Sequence, residues 1–500
     1  MREDNSRPPL LARRSYLKLV SGTVAAGAFA TNAAASGIDY DEVIDVTDVG
    51  ADPTGNESIN DVLERYADHH TLLKFPHGRY LMDRQFRFTG FRDFGIVGDG
   101  AVLVPSSDFD GGRMFKLGTY YDPGNGLQFE GFNVDFTAPD TGLRVIQAQM
   151  YDRLTVNDIE VAGQHDSGKW GPFLFDITSA NGSGTVSNVR ALYGGEFSVN
   201  TPGDIDTGPT GIIVSPYHDG TLRFENCALG PFPDNGLYAS CPGRVVVENG
   251  YFRNSNISNI RLTGDDSVVR DTTVVVDDNR PEDENQRGIR LDSGSNLWLD
   301  NVDIRLDDPN GHGITVMNDV ISAKIEYTDV TVGTGRIHGH GIVVESGAGA
   351  TDIVDSSVTI DSEGNAIQIK PSGGQVRCIR VNVTGDADGS NGRNAIRCYR
   401  DDCEFRIVTV DQPGPNYRRA IELGGDDCLI YDGEYRSTHH PILNNADGTR
   451  IVDTVADSYD GYDAVKLLDG HTGVEIVNST LDGGILDQGT TNLTIYGNSY

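Results

Sequence analysis

Arg290, Asp292, His312, His340, Glu345, Lys370, Arg397, Tyr399, Arg419 and Glu422 are the residues whose types and spacing suit chemistry on a charged ligand. Each lies two before, one after or three after the central apolar residue of a short recurring strand motif. Side chains alternate across a strand, so if that central residue points inward, these positions point outward and form columns on one face. The first column reads Arg287, His312, His340, Asn365, Asn394, Arg419, His440. The second reads Arg261, Arg290, Thr315, Val343, Gln368, Arg397, Glu422, and the third Thr263, Asp292, Met317, Glu345, Lys370, Tyr399, Gly424. On an acidic chain this face is locally basic, and Arg pairs with sugar carboxylates bidentately.

Two enzymatic chemistries fit these side chains. A lyase abstracts the proton beside a uronate carboxylate with a base, while Arg or Lys neutralises that carboxylate. A glycoside hydrolase needs two carboxylates, about 5–5.5 Å or 6.5–9.5 Å apart. Asp292 and Glu345 are two repeats apart, roughly 10 Å before side-chain reach, so either spacing is attainable. The catalytic candidates are therefore Asp292, His312, His340, Glu345 and Lys370; Arg290, Arg397, Tyr399, Arg419 and Glu422 are candidates for substrate binding. A competing reading makes the arginines cross-strand partners of carboxylates on neighbouring repeats. His312 and His340 are then turn exits after glycine, and the chain is a non-catalytic surface scaffold for envelope glycan or a partner protein.

These residues are positioned by a repeat. G-I-I-V begins at Gly211, G-L-Y-A at Gly236, N-I-R-L at Asn259 and G-I-R-L at Gly288, and the pattern runs on to G-I-L-D at Gly484. Its central residues are Ile212, Leu237, Ile260, Ile289, Ile314, Ile342, Ile367, Ile396, Ile421, Ile442, Val465 and Ile485, spaced 20 to 29 residues apart. A second alternating strand lies between successive copies, and Asn, Asp and Gly mark the turns. No helix-length periodicity occurs there, which excludes leucine-rich and ankyrin solenoids, and propeller blades need about 40 residues each. The spacing predicts an all-β fold, a right-handed single-stranded parallel β-helix of about a dozen coils stacked ~4.8 Å apart. Earlier strands around 96–104, 127–136, 154–162 and 184–192 lengthen it. Ile59, Val62, Leu63 and Tyr66 have helical spacing, with Ser58 as the expected N-cap of a short helix that closes the first coil.

Composition narrows the partners. The chain carries 74 acidic against 40 basic residues, a net −34, which excludes a nucleic-acid binder. The acids are mostly Asp (56 of 74) and the bases mostly Arg (33 of 40), on a chain too apolar for disorder. This fits a folded protein of concentrated salt, where the Debye length falls to about 3 Å and like charges barely repel. Most Asp is then solvation. Asp265–Asp266, Asp307–Asp308, Asp401–Asp402 and Asp426–Asp427 are expected at surface turns, with no metal site assigned and calcium as the one cation they would suit. The six cysteines lack zinc-site spacing; Cys403 and Cys428 occupy equivalent places in neighbouring repeats, as stacked buried thiols or a bridge.

The N-terminus reads A-R-R-S-Y-L-K at 12–18, then an Ala/Gly-rich run and a small-residue cleavage site before Ser36. Arg13 and Arg14 mark a twin-arginine signal, so the translocase is an expected partner and the mature chain is expected outside the cytoplasm, secreted or at the cell surface. The run is too short for a stable membrane span. The expected organisation is a signal over 1–35, an N-terminal cap with its helix over 36–95, and the β-helix over 96–500.

V-T-D-V-G-A-D-P-T-G at 46–55, the helix, and L-L-K-F-P-H-G-R-Y-L at 72–81 resemble the N-terminal cap of the pectate-lyase superfamily. The coil pattern extends the resemblance over most of the chain, which is also similar to haloarchaeal exported β-helix proteins. The resemblance implies a pectin-lyase-like solenoid and leaves activity open, since lyases, hydrolases, epimerases and tailspikes share that fold. Polygalacturonase-like hydrolases carry N-T-D, D-D, G-H-G and R-I-K elements. Here G-H-G stands at 311–313 and 339–341 and I-Q-I-K at 367–370, but there is no N-T-D, and the G-D-D at 264–266 follows its strand instead of preceding one. S-P-Y-H-D at 215–219 lacks the first Asp of the epimerase D-P-H-D segment. An acidic polysaccharide, bound or acted on, is the partner that both the face and the resemblance imply.

Overall fold

A computed structural model describes residues 38–390 and 394–500. The twin-arginine segment with Arg13 and Arg14 lies outside the described residues. Each coil is three short strands, as in Ile212–Val214, Thr221–Glu225 and Ala228–Leu229, and each strand pairs in parallel with its equivalent one coil on. The predicted inward ladder is present throughout: Ile212 pairs with Leu237, then Ile260, Ile289, Ile314, Ile342, Ile367, Ile396, Ile421, Ile442, Val465 and Ile485. All are fully buried except Ile485, which is half-buried in the last coil. The third strands stack a second ladder, Val274, Ile304, Val330, Val358, Val383 and Val410 among its members.

The solenoid has about 17 turns, more than the dozen legible in the repeat. The same ladder runs toward the N-terminus through Phe173, Ile146, Phe115 and Phe86. Aromatic residues largely replace Ile there, and edge-to-face packing such as Phe86 on Phe115 and Phe75 on Phe132 fills the interior. The strands Glu42–Asp45 and Thr71–Phe75 stack ahead of Arg92–Leu117 in the second-strand sheet, where Ile44, Leu73, Ile96, Phe129, Val156, Val186 and Phe224 form the ladder.

The helix runs Asn60–Tyr66 and buries Leu63 in the core, but Ser58 is not its N-cap. Ser58 is strand-paired to Leu81, and its hydroxyl donates to Asp83 at 2.7 Å. Ile59 takes the N-cap position without a side-chain bond.

The Asp pairs sit at turns as expected. Asp266, Asp402 and Asp427 adopt left-handed backbone, and the Asp401 carboxylate accepts from the Asp426 amide one coil on at 2.9 Å. These carboxylates satisfy turn amides. A second left-handed position recurs between the second and third strands, at Asn226, Asn249, Asp271, Asn301, Asp355 and Asp432. Asn and Asp tolerate that conformation. Ile407 occupies the same site with φ 54° and is about half exposed, a β-branched residue in a region that penalises it. Ile407→Asn is expected to stabilise the protein by about 1–2 kcal/mol, read as a rise in the denaturation midpoint. A fall in the midpoint would show that the Ile407 side chain contributes more than the backbone loses.

All six cysteines are buried free thiols. Cys398 joins the expected pair, since the Cys398 and Cys428 thiols both donate to the Arg400 carbonyl at 3.4 Å.

Candidate functional site

The first-strand sheet carries the predicted residues, and packing gathers them into three clusters. In the first, Asp292 is the hub. Its Oδ2 accepts from Arg261 Nε at 2.8 Å, its Oδ1 from Arg290 Nε at 2.6 Å, and Arg261 stacks on the Tyr238 ring at 4.3 Å. A register shift between Leu291 and Ser293 lifts Asp292 out of the regular pairing and lets it reach both guanidiniums. The same irregularity removes Thr263 from the outward column; it is buried, with its hydroxyl on the Cys241 carbonyl.

The second cluster is built on His312 and His340, whose rings stack at 4.8 Å. The His312 Nδ1 accepts from the His340 amide at 3.2 Å, and the His340 Nδ1 accepts from the Asn365 amide at 2.7 Å. Each ring therefore carries its proton on Nε2 and offers a donor there. Burial pushes the His312 pKa down to about 4, with Arg287 and Lys370 adding to the shift, so the ring is neutral near pH 7. The Lys370 ammonium bonds both oxygens of Glu345, at 2.9 and 2.7 Å. Thr315 and Val343, expected to face outward, are buried beneath this cluster.

In the third cluster the Tyr399 hydroxyl donates to Glu422 at 2.6 Å and accepts from Arg397 at 2.8 Å. The Arg397 guanidinium also lies over the Tyr399 ring at 4.5 Å. Burial, then the hydrogen bond to Glu422, pushes the Tyr399 pKa up. Asn394 donates to the other Glu422 oxygen at 2.6 Å, and Arg419 approaches that oxygen at 3.7 Å. A Cβ on Gly424 would fall 2.3 Å from the Tyr399 ring, so glycine is what lets the ring settle there. Asn365, Asn394 and His440, all in the first outward column, are nearly fully buried by the loops that follow the third strands.

Sequence reasoning did not find Arg400 and Arg418. Both are buried, the Arg400 guanidinium donating to backbone carbonyls and the Arg418 guanidinium to the Gly364 carbonyl and the Gln412 side chain, which no local pattern signals. It also did not find that the face continues toward the N-terminus into a cleft of about 820 Å³ beside Trp170. Among the described residues, no three His, Cys, Asp or Glu side chains are arranged to hold a metal ion. None of the described helices is long and apolar enough to cross a membrane.

Residues 205–385 match the family described as a right handed beta helix region. The chain is a right-handed parallel β-helix. No curated protein sequence matches significantly. Among solved structures, the β-helix is similar to the catalytic unit of a GH87 α-1,3-glucanase from Streptomyces thermodiastaticus (14% identity, TM-score 0.33, 96% of this chain and 70% of that one). It is similar to pectate lyase Pel9A (12%, TM-score 0.31, 77% and 81%). It is also similar to PfbA, a surface adhesin of Streptococcus pneumoniae (11%, TM-score 0.28, 92% and 93%). These likenesses are of fold.

Proposed function

We propose that the outward face of the first-strand sheet binds an anionic polysaccharide outside the cytoplasm, after export directed by Arg13 and Arg14. One observation carries this reading. On a chain of net charge −34, Arg261 and Arg290 converge on the single carboxylate of Asp292, with Arg287 beside them. Three guanidiniums and the Lys370 ammonium against the carboxylates of Asp292 and Glu345 leave a local cationic excess in partly buried surroundings, suited to a sugar carboxylate or sulfate. At Glu422, Arg419 approaches the carboxylate and Arg397 reaches it through the Tyr399 hydroxyl, which donates to it.

Binding fits the side chains better than bond cleavage does. Both oxygens of Asp292 accept from arginines, and both of Glu345 from Lys370, so neither is placed to donate a proton or attack. The Nδ1 atoms of His312 and His340 already accept from backbone amides, so neither is placed for proton abstraction.

Arg290→Ala and Arg397→Ala are each expected to weaken binding of an oligogalacturonate about tenfold, or ~1.5 kcal/mol, the lower end for charge-assisted contacts because salt screens them. Arg305→Ala, on the third-strand sheet, is the control and leaves affinity unchanged. Calorimetry at fixed salt measures the affinities, and thermal unfolding checks that the variants are folded. Parent-like binding by both groove variants would leave the arginines as ladder residues. Unsaturated products or new reducing ends from the polymer would replace binding with lyase or hydrolase activity.

A further inference from the structure

The same face continues two coils beyond Arg261, and its chemistry changes there. Ile213 pairs with Tyr238 in the column that holds Arg261 and Arg290, so both lie on the same surface. They form the floor of the cleft, with Ser215 and Ser240 beside them. One wall is the loop carrying Trp170, whose ring is half exposed. That loop is rigidly held: the Trp170 carbonyl bonds the buried His165 ring at 2.9 Å, and the buried Arg144 guanidinium backs the indole at 5.5 Å. The adjoining loop carries Asp204 and Asp206, its Ile205 amide donating to the Gly168 carbonyl at 3.3 Å, and Asp234 also lines the cleft, its carboxylate fixed by the Thr210 hydroxyl and by the Asn235 side-chain amide at 2.9 Å. The one cation lining the cleft, Lys169, has its ammonium on the Gly111 carbonyl at 3.3 Å.

We infer that this cleft is a subsite for an uncharged sugar ring, adjoining the cationic strip, so that the preferred ligand alternates neutral and anionic units. The inference rests on the anionic-glycan reading of the strip. A half-exposed indole backed by a buried guanidinium offers an apolar platform for the C–H face of a pyranose. Three carboxylates and two serine hydroxyls supply acceptors for the ring's hydroxyl protons. Those carboxylates outnumber the single lysine, so a uronate is repelled here and accepted at Arg261 and Arg290. From Tyr238 to Arg261 is one coil spacing, about 5 Å, the rise of one sugar unit, so neighbouring units of a glycan chain fall on the cleft and on the arginines.

The protein has two tryptophans, Trp170 and Trp298, and Trp298 stands on the second-strand sheet. In a Trp298→Phe background, Trp170 is the sole indole reporter. Hyaluronan hexasaccharide, which alternates neutral and uronate units, is expected to change its fluorescence and to bind at least tenfold tighter than hexagalacturonate by calorimetry. Trp170→Ala should lower hyaluronan affinity to the level of hexagalacturonate and leave the latter unchanged, while Trp170→Tyr retains most of the difference. Arg290→Ala should weaken both ligands. If hyaluronan binds with Trp170 fluorescence unchanged, or Trp170→Ala weakens both ligands equally, the subsite is overturned and the strip stands. If Trp170 responds to hyaluronan but Arg290→Ala alters neither affinity, the strip reading fails. The cleft then remains as a neutral-sugar site without the alternating ligand. No binding of either oligosaccharide by the folded protein overturns both.

Discussion

Ile314→Asp eliminates the cooperative unfolding of the coils around it at every salt concentration where the parent is folded. Ile314 is fully buried between Ile289 and Ile342 in the continuous ladder of the first strands. Removing its side chain alone would cost about 2–5 kcal/mol for lost burial and the cavity left behind. Placing a carboxyl there adds several kcal/mol, because the ladder offers it no partner. Salt cannot rescue the variant, since added ions screen exposed charges and do not reach a dry stack. A solenoid's stability is roughly the sum of coil terms and neighbour interfaces, so damage at one coil is shared by the two it touches. Hydrogen exchange should rise over residues 289–342, and the thermal transition should broaden or split. Ile314→Val, which keeps the shape class, is expected to cost only about 1 kcal/mol. An unchanged transition for Ile314→Asp would mean that the side chain faces solvent.

Arg400→Met is expected to destabilise the protein by about 3–5 kcal/mol despite its similar volume. The Arg400 side chain is almost wholly buried, yet no carboxylate pairs with it. Its guanidinium donates to four backbone carbonyls: Glu345 at 2.7 Å, Gly374 at 3.0 Å, and Ala348 and Lys370 each at 3.1 Å. Those carbonyls belong to the turns that follow the first strands of two preceding coils, so one side chain ties three coils together. Methionine fills the space, leaves the Lys370 and Gly374 carbonyls without donors and the Glu345 and Ala348 carbonyls with only the Ala348 and Gly374 amides, each orphaned carbonyl costing about 1–3 kcal/mol where water cannot enter. Because the Glu345 and Lys370 backbones are among those held, the variant should also loosen their ion pair on the candidate face. Denaturant unfolding measures the loss, and hydrogen exchange over 345–375 locates it. Parent-like stability would show that water replaces the guanidinium.

The inward ladder was legible because it is local. Alternation along a strand and a spacing of 20 to 29 residues are both properties of one dimension, and all twelve expected positions stack as read. The N-terminal coils were less legible, because Phe86, Phe115 and Phe173 occupy ladder positions that Ile holds elsewhere. Phe fills the ladder position there as Ile does in the later coils. Ser58 failed as an N-cap for a similar reason: strand pairing to Leu81 had a prior claim on its backbone.

By itself the sequence determined the coil, its direction of stacking and the inward ladder, since period-two alternation holds through a regular strand. It did not determine every outward position, because a register shift takes Thr263 from its column and Thr315 and Val343 are buried. Only the tertiary structure decided what those outward side chains touch. Asp292 serves as the counter-ion of two arginines because a register shift lifts it from its column. Tyr399 lies against Gly424 because the next coil lacks a Cβ there. The Trp170 cleft exists because loops of different length rise over the same two strands. Such contacts depend on rotamers, bulges and loops contributed from coils 25 or more residues away, and no short-range pattern records them.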